Sequence, residues 1–289
     1  MIVVRVEGGL ANKMFQYAFY IAISRRREDV FLDETSFKPT LAHEFFSLKD
    51  VFPNLYFPIT DLERFKCQTS PIKWYKIKRI ILEKFSKHYF HETELRYYPY
   101  LIESLPEVCY LRGYWQTENY FINFRDEILK AFSFPEICDE RNLDLVRRLI
   151  NENSVAIHVR QGVDYAKEGR TTICDAQYYK NAIAYMVKNI PNLKLYVFAD
   201  NKEWVLENIK GVDYTLVDWN PLNGQGSHID MQLMSMAKHN IIANSSYSWW
   251  GAWLNRNPSK IVVTPKIWYK LEPKYIDCLD ILPHSWVKC

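Results

Sequence analysis

The sequence reads as an α/β protein of two domains, each built on a parallel sheet. Three observations carry that reading. The chain opens on an apolar strand that runs through a glycine pair into a helix and then a second strand. Its second half alternates five apolar strands with four helices, the pattern of a doubly wound fold. At 289 residues, 48% of them apolar, the chain is long enough for two cores.

The elements follow in order. Residues 2–6 form the first strand and Gly8-Gly9 the turn. Leu10, Met14, Ala18, Ile21 and Ala22 then share one face of a helix. Short strands are expected at 30–32 and 108–111, and a helix over 119–132. Phe134-Pro135 reads as a linker, which divides the chain into domains 1–134 and 135–289. The second domain begins with strand 154–160, helix 176–190 capped by Asp175, strand 194–199 and helix 203–209. It continues with strand 214–217, helix 228–239, strand 240–243, helix 247–257 and strand 261–264.

Composition removes several classes. A net charge of +3 is too small for a polybasic nucleic-acid binder. No stretch approaches the ~18 apolar residues of a membrane span, and the N-terminus lacks the apolar core of a secretory leader. The six cysteines form no CxxC pair and read as reduced thiols, so a cytoplasmic location is expected. Residues 66–88 carry seven Lys or Arg against a single acid, Glu83. That run is either a solvated helix face or a contact with an anionic membrane surface, peripheral on the inner face. Nothing in the sequence reports the oligomeric state.

The chemistry should sit beyond the carboxyl ends of the strands. Strand 154–160 ends in His158 and Arg160, and burying either without a partner is costly. Arg160 suits a phosphate, or else an interior ion pair with Asp200 at the end of the next strand. Asp164, shortly after, is either a general base or a partner that holds Arg160. At Asn244-Ser245-Ser246 a strand gives way to a helix, and a serine cap there would create an anion site. The tryptophans of that helix, 249, 250 and 253, are either core or a sugar platform. Gly8-Gly9 matches neither GxGxxG nor a Walker loop, and no Asp-x-Asp, HExxH or His/Cys cluster offers metal ligands.

Taken together these segments resemble the α-1,2-fucosyltransferases of glycosyltransferase family 11. The pattern GGLGNQxFQYA is met by Gly8-Gly9-Leu10-Ala11-Asn12-Lys13-Met14-Phe15-Gln16-Tyr17-Ala18. GYWQ is met at 113–116 with Tyr120-Phe121, and HxRRGDY by His158-Val159-Arg160-Gln161-Gly162-Val163-Asp164-Tyr165. FxDxxxW matches 198–204, NSSFSWWGAWL is nearly intact over 244–254, and PxxW follows at 265–268. The chain departs from the pattern at Gln161, at the inserted Val163, and at Ala11 and Lys13.

The resemblance implies a GT-B fold, two Rossmann-like domains facing a cleft. The C-terminal domain would bind GDP-β-L-fucose and the N-terminal domain the acceptor, the 2-hydroxyl of a terminal β-galactoside. Transfer would proceed with inversion and without a metal. The residues it implicates in catalysis are Arg160, Asp164 and Asn12. The donor would meet His158, Arg160, Asp200, Asp230, Asn244, Ser245 and Ser246, with Asp230 receiving the guanine N–H groups. The acceptor would meet Gly9, Tyr114, Trp115 and Gln116. The alternatives are another GDP-fucose-dependent transferase, for instance one acting on a peptide hydroxyl, and a non-catalytic glycan- or nucleotide-binding protein. A donor and acceptor screen separates the three.

Overall fold

The computed structural model describes residues 1–35, 47–65, 81, 86–162, 166, 173–269 and 278–289. Asp164 and most of the basic 66–88 run lie outside the described residues. Two compact units emerge, Met1–Ser133 with Asp277–Ile281, and Phe134–Ile276 with Leu282–Cys289. The sequence assigned all of 135–289 to one domain. The structure instead gives Asp277–Ile281 to the first unit, where the Asp280 carboxylate accepts the backbone N–H of Tyr97 at 2.8 Å.

In the first unit, four parallel strands, β1 (Ile2–Arg5), β2 (Val30–Asp33), β3 (Tyr89–His91) and β4 (Cys109–Arg112), lie in the order β2-β1-β4-β3. The Leu10–Ser24 helix carries no glycine or proline and buries residues around most of its circumference, not one stripe. Lys13 and Gln16 are buried with it, each with polar partners: Glu34 for the lysine, and the Glu7 N–H and Gly113 carbonyl for the glutamine. The expected helix at 119–132 is instead two 3-10 turns, Glu118–Tyr120 and Ile122–Phe124, followed by the Arg125–Ala131 helix. Phe121 interrupts it: the ring is fully buried and its backbone leaves the helical region, at φ −133° and ψ 4°. The edge strand β3 was not expected, since three residues give no readable period.

The second unit holds β5 (Asn153–Val159), β6 (Leu193–Ala199), β7 (Tyr214–Val217), β8 (His239–Ile241), β9 (Val262–Thr264) and β10 (Val287–Lys288). All pair in parallel in the order β10-β9-β8-β5-β6-β7. Counted from β5, this is the 3-2-1-4-5-6 order of dinucleotide-binding folds, and it reverses between β5 and β8. Residues 154–159 of β5 are all buried, with Val155, Ile157 and Val159 on one face and Ser154, Ala156 and His158 on the other. The Glu140–Asn151 helix was not expected. Asp139 caps it, and of its apolar residues Leu145 and Leu149 are buried, with charged residues on the opposite face. Helices Ala176–Asn189, Lys202–Asn208, Ile229–Met236 and Ser246–Leu254 complete the layers.

Trp249, Trp250 and Trp253 are at most 1% exposed and pack against one another and Trp286, which makes them core and excludes a sugar platform. Among the described residues no helix is long and apolar enough to cross a membrane.

Candidate active site

The switch point of the second sheet gathers most of the donor-side residues. Register brings Val159 opposite Ala199, so Arg160 and Asp200 leave their strands as the next pair. The Arg160 guanidinium meets Asp200 Oδ2 at 2.9 Å, with 26% of the arginine side chain and 8% of the aspartate exposed. Asp200 also accepts the backbone N–H groups of Gln161 (2.7 Å) and Gly162 (3.0 Å). A β-carbon on Gly162 would stand 2.5 Å from Asp200 Oδ2, so only glycine fits beside the carboxylate. Asp200 was expected either to touch the donor or to pair with Arg160; the ion pair is formed, and its other described partners are N–H groups of the loop that follows, so it acts as a strut beneath Arg160. Gln161, at the family's second arginine, is buried and donates to the Cys174 carbonyl at 2.6 Å. It too shapes the loop.

His158 is 7% exposed, and no described residue hydrogen-bonds its Nδ1. Burial first, and the Arg160 charge second, push the imidazole down to about 3, so it is neutral. Its ring lies 5.7 Å from that of Tyr247, in the first turn of the Ser246–Leu254 helix. The Tyr247 hydroxyl donates to the Ser227 carbonyl at 2.6 Å and accepts the Met231 N–H at 2.8 Å. Burial holds this phenol well above its ordinary range; the Asp230 charge adds to the rise and Arg160 opposes it. Tyr247 therefore stands among His158, Arg160 and Asp230. Sequence reasoning quoted it inside a motif without assigning it a part.

Asp230 is buried in the first turn of Ile229–Met236. Burial pushes its carboxyl up to about 6, against a 2.7 Å hydrogen bond from Asn220 Nδ2 to Oδ1. Asn220 is anchored in turn, accepting from Asn142 at 2.7 Å. Asn142 also accepts the indole N–H of Trp219, whose ring lies under the Arg141 guanidinium. A polar chain thus runs from Trp219 to Asp230, and nothing in the sequence pattern marks it. At the end of β8, Asn244 is buried and Ser245 takes the N-cap position. The Ser245 hydroxyl accepts no first-turn N–H, so the expected serine cap is not formed by that side chain. Ser246 opens the helix, half-buried.

The first sheet reverses between β1 and β4, whose ends carry the glycine pair and the 113–116 segment. Gln16 joins them, accepting the Glu7 N–H at 2.8 Å and donating to the Gly113 carbonyl at 2.9 Å. Gln116 Nε2 donates to Asn12 Oδ1 at 2.9 Å. A β-carbon at Gly8 would lie 3.2 Å from Asn12 Nδ2 and 3.6 Å from the Tyr114 ring, which puts these groups together. Gly9 caps the Leu10–Ser24 helix through its carbonyl, which accepts from Asn12 and Lys13. Tyr114 is 40% exposed. Trp115 is not: it is fully buried and stacks on Phe19 at 4.2 Å, so its place among acceptor contacts is corrected to core. Glu92, just past β3, was missed because no motif covers it. Burial pushes its carboxyl up to about 7, against two backbone hydrogen bonds. Among the described residues no three His, Cys, Asp or Glu side chains gather as a metal site.

Comparisons with known proteins place the chain in a family. The glycosyl transferase family 11 model matches residues 1–287. An alpha-1,2-colitosyltransferase of Escherichia coli is 30% identical over 309 residues, covering 100% of this chain and 98% of that protein. The O-antigen biosynthesis glycosyltransferase WbnK of Escherichia coli is also 30% identical over 309 residues, with 98% of each covered. Among solved structures, POFUT1 in complex with GDP aligns with a TM-score of 0.51 at 12% identity, over 92% of this chain and 98% of that one. That likeness is one of fold. With the family pattern matched from the first strand to the last, the chain belongs to glycosyl transferase family 11 and is a glycosyltransferase.

Proposed function

We propose that the protein transfers L-fucose from GDP-β-L-fucose to the 2-hydroxyl of a terminal β-galactoside, with inversion and without a metal. The observation that carries this reading is Arg160, held by Asp200 just beyond β5 and close to the first turn of the Ser246–Leu254 helix. In the transition state the fucose carries oxocarbenium character while negative charge builds on the departing diphosphate. Arg160 offers the compensating charge, and the helix end at Ser245-Ser246 adds its dipole. Asp230, with Oδ1 engaged by Asn220, receives the N1–H and N2–H groups of guanine on its other oxygen. The neutral His158 supports the nucleotide with an imidazole that adds no charge. Asn244 shapes the strand end beside it.

On the first unit, Tyr114, Gln116 and Asn12, with the Gly9 backbone, hold the acceptor. Asp164, outside the described residues, takes the proton of the attacking hydroxyl. Removing Arg160 should cost about 3–4 kcal/mol of transition-state stabilisation, a fall of ~10²–10³ in kcat. Arg160→Ala assayed with GDP-fucose, lactose and EDTA tests both the residue and metal independence. Near-normal turnover of the variant, or loss of wild-type turnover in EDTA, overturns the corresponding part. A second reading, in which colitose is the transferred sugar, is favoured by the full-length relative that carries that name. Competition between fucosyl and colitosyl donors at equal concentration decides between them.

A further inference from the structure

The first unit contains a buried carboxylate that the mechanism above does not use. Glu92 lies one residue beyond β3 and is 8% exposed. A single oxygen, Oε2, accepts the backbone N–H of Tyr114 at 2.6 Å and of Trp115 at 2.9 Å. Two successive N–H groups converge in this way when the backbone turns through a left-handed residue and forms a small anion nest. Trp115 supplies that turn, at φ +54°. A bulky aromatic residue is rarely found there, and it persists only where its surroundings hold it. Two of them do so: the indole is clamped between Phe19 and Phe90, and the carboxylate occupies the nest.

The neighbouring glycine records the same constraint. A β-carbon on Gly113 would lie 2.6 Å from Glu92 Cβ and 2.8 Å from Oε2. From the other side, Gln16 Nε2 grips the Gly113 carbonyl at 2.9 Å. The result is an alternation along one short segment. Tyr114 points outward, Trp115 inward, and Gln116 reaches Asn12.

We propose that Glu92 is a positioning residue for the acceptor sugar: it fixes the 113–116 turn and so sets the spacing of Tyr114 and Gln116. This inference rests on the assignment of those two side chains to the β-galactoside. Glu92 touches no reacting atom; it acts through the backbone of the residues that do. Because it serves the acceptor alone, its loss should leave donor binding intact.

The test uses the full chain with GDP-fucose and lactose, measuring kcat and both KM values. Glu92→Ala should raise the acceptor KM at least tenfold and leave the donor KM within twofold. Glu92→Gln keeps an oxygen at the same reach and should restore the acceptor KM to within threefold of wild type. Glu92→Asp, which keeps the charge but draws the oxygen back, serves where the alanine variant fails to fold; it should also raise the acceptor KM selectively. An unchanged acceptor KM in both Glu92→Ala and Glu92→Asp overturns the proposal, as does an equal rise in the two KM values. Tyr114→Ala and Gln116→Ala separate the two levels of the argument. If neither alters the acceptor KM, the acceptor assignment fails and the proposal with it. If both raise it and the Glu92 variants do not, the assignment stands and the proposal fails.

Discussion

Replacing Asp200 by alanine tests how the second unit prepares Arg160. The carboxylate binds Gln161 N, Gly162 N and the Arg160 guanidinium at 2.7, 3.0 and 2.9 Å. Hydrogen bonds to a charged group contribute about 1.5–3 kcal/mol each, so the two backbone bonds represent roughly 3–6 kcal/mol. Water reaches part of this loop, and the arginine side chain is about a quarter exposed, so the ion pair itself is discounted to under about 1 kcal/mol. A net loss of about 3 kcal/mol is therefore expected in urea denaturation. The kinetic loss should be larger than stability alone explains, because the freed guanidinium must be ordered again in each turnover. A fall in kcat of about 10²-fold corresponds to about 2.7 kcal/mol of lost pre-organisation. Asp200→Asn should fall between, since one amide oxygen can serve one N–H while its NH2 opposes the other. A folded Asp200→Ala enzyme turning over within twofold of wild type would refute the account of Asp200 as the strut beneath Arg160.

Other outcomes follow from the same geometry. Asp230 titrates near 6, so its charge appears as pH rises through that value; the donor KM should fall between pH 5 and 7 and stay flat in Asp230→Asn. The stability sign is opposite. A carboxyl raised above its unfolded value favours the fold below about pH 4 and loses that contribution as pH rises through 6, so Asp230→Asn should gain on wild type toward neutral pH. Asn220→Ala should weaken donor binding more than tenfold with acceptor KM unchanged, measured by GDP titration. The His158 imidazole should show no titration by NMR between pH 5 and 8, since burial holds it near 3; a midpoint inside that window contradicts a closed, neutral site. Trp249→Ala should cost about 3–5 kcal/mol in urea denaturation, as expected of a fully buried indole, and a loss under 1 kcal/mol contradicts its assignment to the core.

The parts of the fold legible in the sequence were those with a strong period. Strands β5 and β6 are mostly apolar, with Val155–Ile157 and Leu195–Ala199 as their cores, and their register brings Arg160 beside Asp200. The Glu140–Asn151 helix was missed although the sequence marks it: Asp139 caps it, and Leu145 and Leu149, four residues apart, share its buried face. β3 and β10 are too short to carry a period, and they are strands because neighbours pair with them. At the site, charge and motif pointed to Arg160, His158 and Asp230. What they could not supply was direction. Trp115 lies in the GYWQ segment expected to meet the acceptor yet faces the core, with a left-handed turn at that residue and the indole fully buried. The Arg160–Asp200 pair was one of the two readings of that strand end and is formed. Gln16, Asn220 and Glu92 act on backbone or on other side chains, and such roles depend on contacts distant in sequence that no local pattern encodes.

The central claim is transfer of fucose from GDP-fucose by this chain. Its most direct test incubates the purified protein with GDP-fucose and a panel of β-galactosides in EDTA, then assigns the linkage of any product by NMR. The account predicts a fucosyl residue joined α-1,2 to galactose, formed by the wild type and reduced at least 10²-fold in Arg160→Ala. GDP-fucose that binds without transfer to any β-galactoside, or a product bearing fucose at another hydroxyl, would contradict it.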